Sequence, residues 1–321
     1  MTESFPSVPR ILAIHPVFDF KGIISSWGEA VECVQVASRR EAGQFLPEAD
    51  ILLTMLWQNE FLEGASRLRY IQSVTSGVEQ FDLDAIRARD IRLCNARGAN
   101  AIAVAEHALA LMLGFARHLP MARDDQKEKL WRRLDAGLRR REIYNSHIAI
   151  VGYGAIGQHL VSLCRALGAM VTVVRRNVEA SSGLDGVRFV GDDSLSDVVK
   201  SADYLVLACP LTDDTRGLVN AQLLKAMKVD ATLINVGRGG LVVEADLVTA
   251  LTEGKIGGAG LDTFVDEPLL ESSPFWMLPN VVVTPHQAGE SSMYEYRVCD
   301  ILRENIRKLR NGGSGLLNEV V

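Results

Sequence analysis

Three polar side chains in the second half of the chain, Arg238, Glu267 and His286, combine a cation, a carboxylate and an imidazole. Each lies just after a short apolar run: Arg238 in INVGRGGLV (234–242), Glu267 in LDTFVDEP (261–268) and His286 in VVVTPHQAG (281–289). Polar residues just beyond the C-terminal ends of parallel strands face the crevice where open α/β sheets bind ligands. A histidine after a strand is, taken singly, more often an ordinary surface or core residue. As a set beside a dinucleotide site, the three groups fit reduction of a 2-keto acid. That reaction needs a hydride at the carbonyl carbon and a proton for the developing alkoxide. His286 is the candidate proton donor, a role worth typically about 10²–10⁴-fold in rate. Glu267 would orient the ring and stabilise its charged form. Arg238 offers a planar fork to the substrate carboxylate and can polarise the carbonyl. Gly237, Gly239 and Gly240 around it leave room for substrate and nicotinamide.

The dinucleotide site is read from HIAIVGYGAIGQHLVSLCRALGAMVTVVRR (147–176). A lone GxGxxG is weak evidence, but here a strand precedes it, a helix follows, and a second strand comes next. Gly152 permits the tight turn, Gly154 admits the pyrophosphate, and Gly157 lets the helix pack close, with phosphates at the helix N-terminus. An NAD-selective protein usually carries an acidic residue about 20 residues past the motif. This chain has Arg175 and Arg176 there. An arginine attracts a 2′-phosphate that a carboxylate would repel. NADP(H) is therefore the expected cofactor, with NAD(H) possible; the alternative is that both arginines are a solvated strand end.

The elements that must position these groups are short apolar runs alternating with helical patterns. One set of strands is expected at 10–15, 31–36, 50–55, 70–74 and 91–95. A second set is expected at 147–152, 170–175, 187–190, 204–209, 232–237, 258–264 and 280–285. Continuous rather than alternating hydrophobicity indicates parallel strands covered on both faces. The fold class is α/β, with two doubly wound parallel sheets. The helical pattern 292–311 follows the second set, whereas the first set lacks a closing helix, so the chain is expected to return there. The expected domains are 1–101 with 288–321, binding substrate, and 102–287, a Rossmann cofactor domain, with a cleft between them.

Bulk properties narrow the partners. The 321 residues are 48% hydrophobic and 23% charged, with net charge −6, so neither nucleic acid nor an anionic membrane is expected as the main partner. Five widely spaced cysteines without a CxxC pair argue against a disulfide framework or a metal site. They fit a reducing compartment. The N-terminus lacks a secretory pattern and no apolar run reaches spanning length, so a cytoplasmic location is expected.

The segments GYGAIG (152–157), CPLTDDTRGLVN (209–220), MKVDATLINVGRGGLV (227–242), GGAGLDTFVDEP (257–268) and PNVVVTPHQAG (279–289) occur in an order and spacing that resemble the D-isomer-specific 2-hydroxyacid dehydrogenase family. The resemblance covers essentially the whole chain and implies a flavodoxin-like substrate domain beside the Rossmann domain. It implies an arginine, glutamate and histidine triad, matched by Arg238, Glu267 and His286. It places substrate-carboxylate contacts on the backbone of Ser76 and Gly77 in VTSGV (74–78). Along with Gly152, Gly154, Ala155, Ile156 and Gly157, it implies cofactor contacts at Cys209, Pro210, Thr215, Val236, Gly237 and Gly289. Asp262 would lie near the nicotinamide, or else cap its strand end. In AVAEHALALML (103–113), similar to the family's dimer-interface helix, Glu106 and His107 are read as structural or interface residues, and a homodimer is implied.

Departures narrow the small-molecule substrate. Formate-acting members carry glutamine at the position of Glu267, and phosphite-acting members a lysine in the loop that here holds Ser76. The 3-phosphoglycerate branch commonly carries a further C-terminal domain, and the sequence after the 292–311 pattern is short. The arginine pair resembles the glyoxylate and hydroxypyruvate reductase branch. Met55, Leu56 and Trp57 either wall the substrate mouth or end a core strand. The competing reading is a nucleotide-sensing regulator of the same fold acting through protein partners, as in the C-terminal-binding corepressors.

Overall fold

Residues 5–133, 141–178 and 184–321 are described here, from a computed structural model. The chain divides into two compact units, 1–100 with 291–321, and 101–290. The division falls one residue earlier than the first expected boundary and three residues later than the second.

In the first unit, five parallel strands run in the order β2-β1-β3-β4-β5: β1 (Arg10–Ile14), β2 (Glu32–Val36), β3 (Ile51–Thr54), β4 (Tyr70–Ser73) and β5 (Arg92–Cys94). This is the flavodoxin-type order, with its switch point between β1 and β3. β3 and β4 are buried at every position, so side chains on both faces meet a core. One face packs Leu12, Leu52, Ile71 and Leu93 with Phe61 and Ile86. The other packs Ile11, Ile51, Leu53 and Tyr70 against Val298, Cys299, Leu302 and Ile306 of the helix Tyr294–Arg310. The closing helix thus returns to the first sheet, as expected from a first set of strands without a closing helix of its own. Beyond it the chain end adds an antiparallel pairing at β5: Val320 N–H donates to Leu93 O, and Leu93 N–H to Val321 O, both at 2.8 Å.

In the second unit, seven parallel strands run β12-β11-β10-β9-β6-β7-β8: β6 (His147–Val151), β7 (Met170–Val174), β8 (Val187–Val190), β9 (Tyr204–Leu207), β10 (Thr232–Asn235), β11 (Gly258–Leu261) and β12 (Val281–Val283). Counted within the unit, this is the dinucleotide-binding order with one further strand, reversing between β6 and β9. The helix Ala101–Arg117 buries Val104, Ala105, Ala108, Leu111, Met112 and Ala116 against this sheet and the helix Ala155–Ala166. Its small residues permit that close approach. Among the described residues, no single helix is long and apolar enough to cross a membrane.

Candidate functional site

The glycine turn sits where the second sheet reverses. Gly152 has φ +104°, and a Cβ there would meet the backbone of Ala208 at 2.6 Å, so a side chain is excluded on both counts. Gly154 is the N-cap of the helix Ala155–Ala166 and offers no side-chain cap. Gln158 N–H makes the first intrahelical bond, to Gly154 O, leaving the N–H groups of Ala155, Ile156 and Gly157 directed outward from the helix start. Nothing lies within 4 Å of a Cβ built on Gly154. Uncapped donors, the helix dipole and open space fit a dinucleotide pyrophosphate.

Around that turn, the Arg175 guanidinium lies 5.6 Å from the centroid of the Tyr153 ring, which packs edge-on against Phe189. Arg176 Nη1 is 3.5 Å from Asp214 in the 209–217 loop, an exposed pair. Thr215 organises this loop: its hydroxyl donates to Pro210 O at 2.8 Å and accepts from Thr212 N–H at 2.8 Å. Cys209 is half-buried and Pro210 exposed. Val236 and Gly237 are buried, Gly289 half-buried, so any cofactor contact at Val236 or Gly237 is with backbone.

The second unit also holds Arg238, Glu267 and His286. β10 ends in Asn235, whose buried side chain accepts from Gly237 N–H at 3.1 Å and donates to Arg238 O at 3.0 Å. This clamp turns Arg238 outward; its Nη1 donates to Gly237 O at 2.8 Å. At Gly239 a Cβ would lie 1.9 Å from Phe264 C, so only glycine lets this turn touch the 262–268 loop. In that loop Glu267 Oε1 accepts from Phe264 N–H at 3.0 Å, and Glu244 accepts from Val265 N–H at 2.8 Å. Glu267 Oε2 lies 2.7 Å from His286 Nδ1. Burial pushes the Glu267 carboxyl upward. The His286 hydrogen bond, the Phe264 N–H and the nearby charges of His286 and Arg238 outweigh this and hold it below the usual range. Ionised, Glu267 accepts only, so Nδ1 carries the hydrogen and Nε2 faces outward on a half-exposed ring.

His286 has φ +52°, in the left-handed region that few non-glycine residues adopt. The turn that imposes it is fastened by Asp262. The Asp262 carboxylate, 2% exposed, accepts from Thr284 Oγ1 at 2.6 Å, Gln287 N–H at 3.0 Å and Ala288 N–H at 3.0 Å, while its carbonyl accepts from His286 N–H at 2.9 Å. The Asp262 carboxylate thus acts as a cap on the 284–288 turn, with three of its donors around it.

The first unit holds the remaining candidates. The 74–78 loop follows β4; Asn95 Nδ2 donates to Ser76 O at 2.9 Å and Ala96 N–H to Thr75 O at 2.9 Å. Among the described residues, the N–H groups of Ser76 and Gly77 meet no protein acceptor. Trp57 lies in the core of the first unit. It is 4% exposed, packs against Phe61 and Phe81, and donates Nε1–H to Asn59 at 2.9 Å. Leu56, half-buried, packs on the same core. Among the described residues, no cluster of metal-ligating side chains is found. Asn235, Glu244, Thr284 and Tyr153 were not singled out from sequence. Asn235 carried one signal, an amide ending a strand before a glycine turn.

Comparison with known proteins agrees with this architecture. Residues 109–288 match the family model described as "D-isomer specific 2-hydroxyacid dehydrogenase, NAD binding domain". The D-3-phosphoglycerate dehydrogenase of Methanocaldococcus jannaschii is 32% identical over 312 residues, 94% of this chain and 58% of that protein. The chain therefore spans little more than half the length of that relative. The glyoxylate reductase of Pyrococcus furiosus is 31% identical over 274 residues, 83% of this chain and 80% of that protein. A solved structure of a D-isomer-specific 2-hydroxyacid dehydrogenase family protein from Aeromonas salmonicida superposes with TM-score 0.80 at 29% identity, over 98% of this chain and 99% of that one. The chain belongs to the D-isomer-specific 2-hydroxyacid dehydrogenase family.

Proposed function

We propose that this protein is an NAD(P)-dependent oxidoreductase that reduces a small 2-keto acid to the D-2-hydroxy acid, with NADPH preferred. The observation carrying the reading is the 2.7 Å pair of His286 Nδ1 and Glu267 Oε2. It fixes the ring so that protonated His286 presents Nε2–H to a substrate oxygen. Glu267 offsets the imidazolium charge and receives back no proton. Arg238 binds the substrate carboxylate; the resemblance is what favours Ser76 and Gly77 N–H groups as further substrate contacts. The Gly152–Gly157 turn holds the pyrophosphate, and Arg175 and Arg176 hold a 2′-phosphate. When bound, the reduced nicotinamide supplies the hydride. Transfer of one proton from Nε2 to the alkoxide completes the hydroxy acid and leaves His286 neutral.

The arginine pair and the resemblance favour glyoxylate or hydroxypyruvate as substrate. A homodimer is inferred from the resemblance of residues 103–113, and a cytoplasmic location from the cysteine pattern. The test is a grid of NADPH and NADH oxidation with glyoxylate, hydroxypyruvate, pyruvate, phenylpyruvate and 3-phosphohydroxypyruvate. Turnover of the two small acids with NADPH is expected. Equal or better use of NADH would overturn the cofactor preference. Cofactor binding without turnover of any acid would overturn the enzyme reading in favour of a nucleotide-sensing regulator.

A further inference from the structure

We propose that His107, on the helix Ala101–Arg117, is a positioning residue for His286, acting through Thr284 and Asp262. The inference rests on the proposed role of His286 as proton donor. His107 Nε2 lies 3.0 Å from Thr284 Oγ1 and 3.7 Å from Asp262 Oδ1. The Thr284 hydroxyl has a single hydrogen, and at 2.6 Å it is directed to the Asp262 carboxylate. The Thr284 oxygen must therefore accept from His107, which assigns the hydrogen of His107 to Nε2.

The resulting chain is directional: His107 Nε2–H to Thr284, Thr284 O–H to Asp262, and Asp262 receiving the N–H groups of Gln287 and Ala288 on the far side of His286. His286 is thus bracketed by Thr284 and by Gln287–Ala288, all held on one buried carboxylate. A left-handed φ at a non-glycine residue costs about 1–3 kcal/mol and persists only where the surroundings over-determine it. His107 completes that constraint from a rigid helix. Without it the Thr284 oxygen loses its donor and the Thr284–Asp262 bond its support from the helix, the turn relaxes toward ordinary φ, and the imidazole leaves the direction set by Glu267.

Two apolar and two conservative variants test this. His107→Leu and Thr284→Val remove the chain at successive links, whereas His107→Gln and Thr284→Ser keep a donor and a hydroxyl in place. In the grid above, H107L and T284V should lower kcat about 10- to 100-fold, as small misplacements of a reacting group do. KM for keto acid and cofactor should stay within about twofold. H107Q and T284S should recover most of the loss, and the double variant H107L/T284V should be no worse than either alone. Isotope-edited histidine NMR of the unliganded wild-type protein should show His107 as the Nε2–H tautomer. An H107L protein with wild-type kcat, an H107Q no better than H107L, or an Nδ1–H tautomer at His107 would overturn the proposal. His286→Asn is measured alongside. Its inactivity with unaffected H107L would sink only the positioning role; its full activity would sink the proton-donor reading itself.

Discussion

An imidazole delivers a proton in a chosen direction only when its second nitrogen is held. At His286 the holder is Glu267, itself steadied by the Phe264 N–H. His286→Ala should lower kcat by about 10²–10⁴-fold, measured in steady state, with little change in cofactor affinity. Arg238→Ala should also raise the keto-acid KM, since leaving a desolvated carboxylate unpaired costs about 2–5 kcal/mol. Lysine at 238 should restore charge but not the two-pronged geometry. Glu267 adds a pH effect on stability. Its carboxyl is held low in the folded state, so its contribution is present above the ordinary glutamate range and is lost as pH falls through the depressed value. Acid unfolding of Glu267→Gln, followed by circular dichroism, should be shallower than wild type below about pH 4.3. The effect should be small, because the pair is partly solvated.

At the scale of elements, strands supply direction and the turns after them supply aim. β10, β11 and β12 end at adjacent positions, and each is followed by a turn locked by its own side chain: Asn235, Glu267 and Asp262 with Thr284. The turns also lock each other, most tightly where Gly239 meets Phe264. Gly239→Ala puts a methyl into backbone at 1.9 Å, which no rotamer relieves. It should destabilise the protein by about 1–3 kcal/mol or more and depress kcat, as seen by thermal melts and kinetics together. In the first unit, Trp57→Ala should cost about 3–5 kcal/mol as a core truncation. Trp57→Phe should leave keto-acid KM unchanged, an outcome a substrate wall would not give.

For the whole molecule, the division into two units with separate cores predicts two linked transitions on heating. NADPH should raise the transition of the 101–290 unit, by about 2.7 kcal/mol at a hundredfold excess over Kd. Differential scanning calorimetry with and without cofactor reads this directly. The first unit depends on the chain end. Leu316 is buried, Asn305 side-chain groups hold Leu317, and Glu319–Val321 pair with β5. Removing 316–321 should lower the transition of that unit and leave the other in place.

All twelve strands, the return of the last helix and the residues beyond the strand ends were legible in the amino-acid sequence. The reason is that these are local: β-branched runs buried on both faces, glycines at forced turns, and polar groups at fixed distances from a strand end write themselves into consecutive residues. Contacts between distant positions leave no such trace. That Asp262 caps a turn depends on Thr284, Gln287 and Ala288 arriving beside it across two strands. Whether Trp57 is wall or core depends on Phe61 and Phe81 closing over it. That His107 reaches this turn follows only from the packing of its helix on the sheet, because a hydrogen bond requires a distance and an angle that spacing along the chain does not specify.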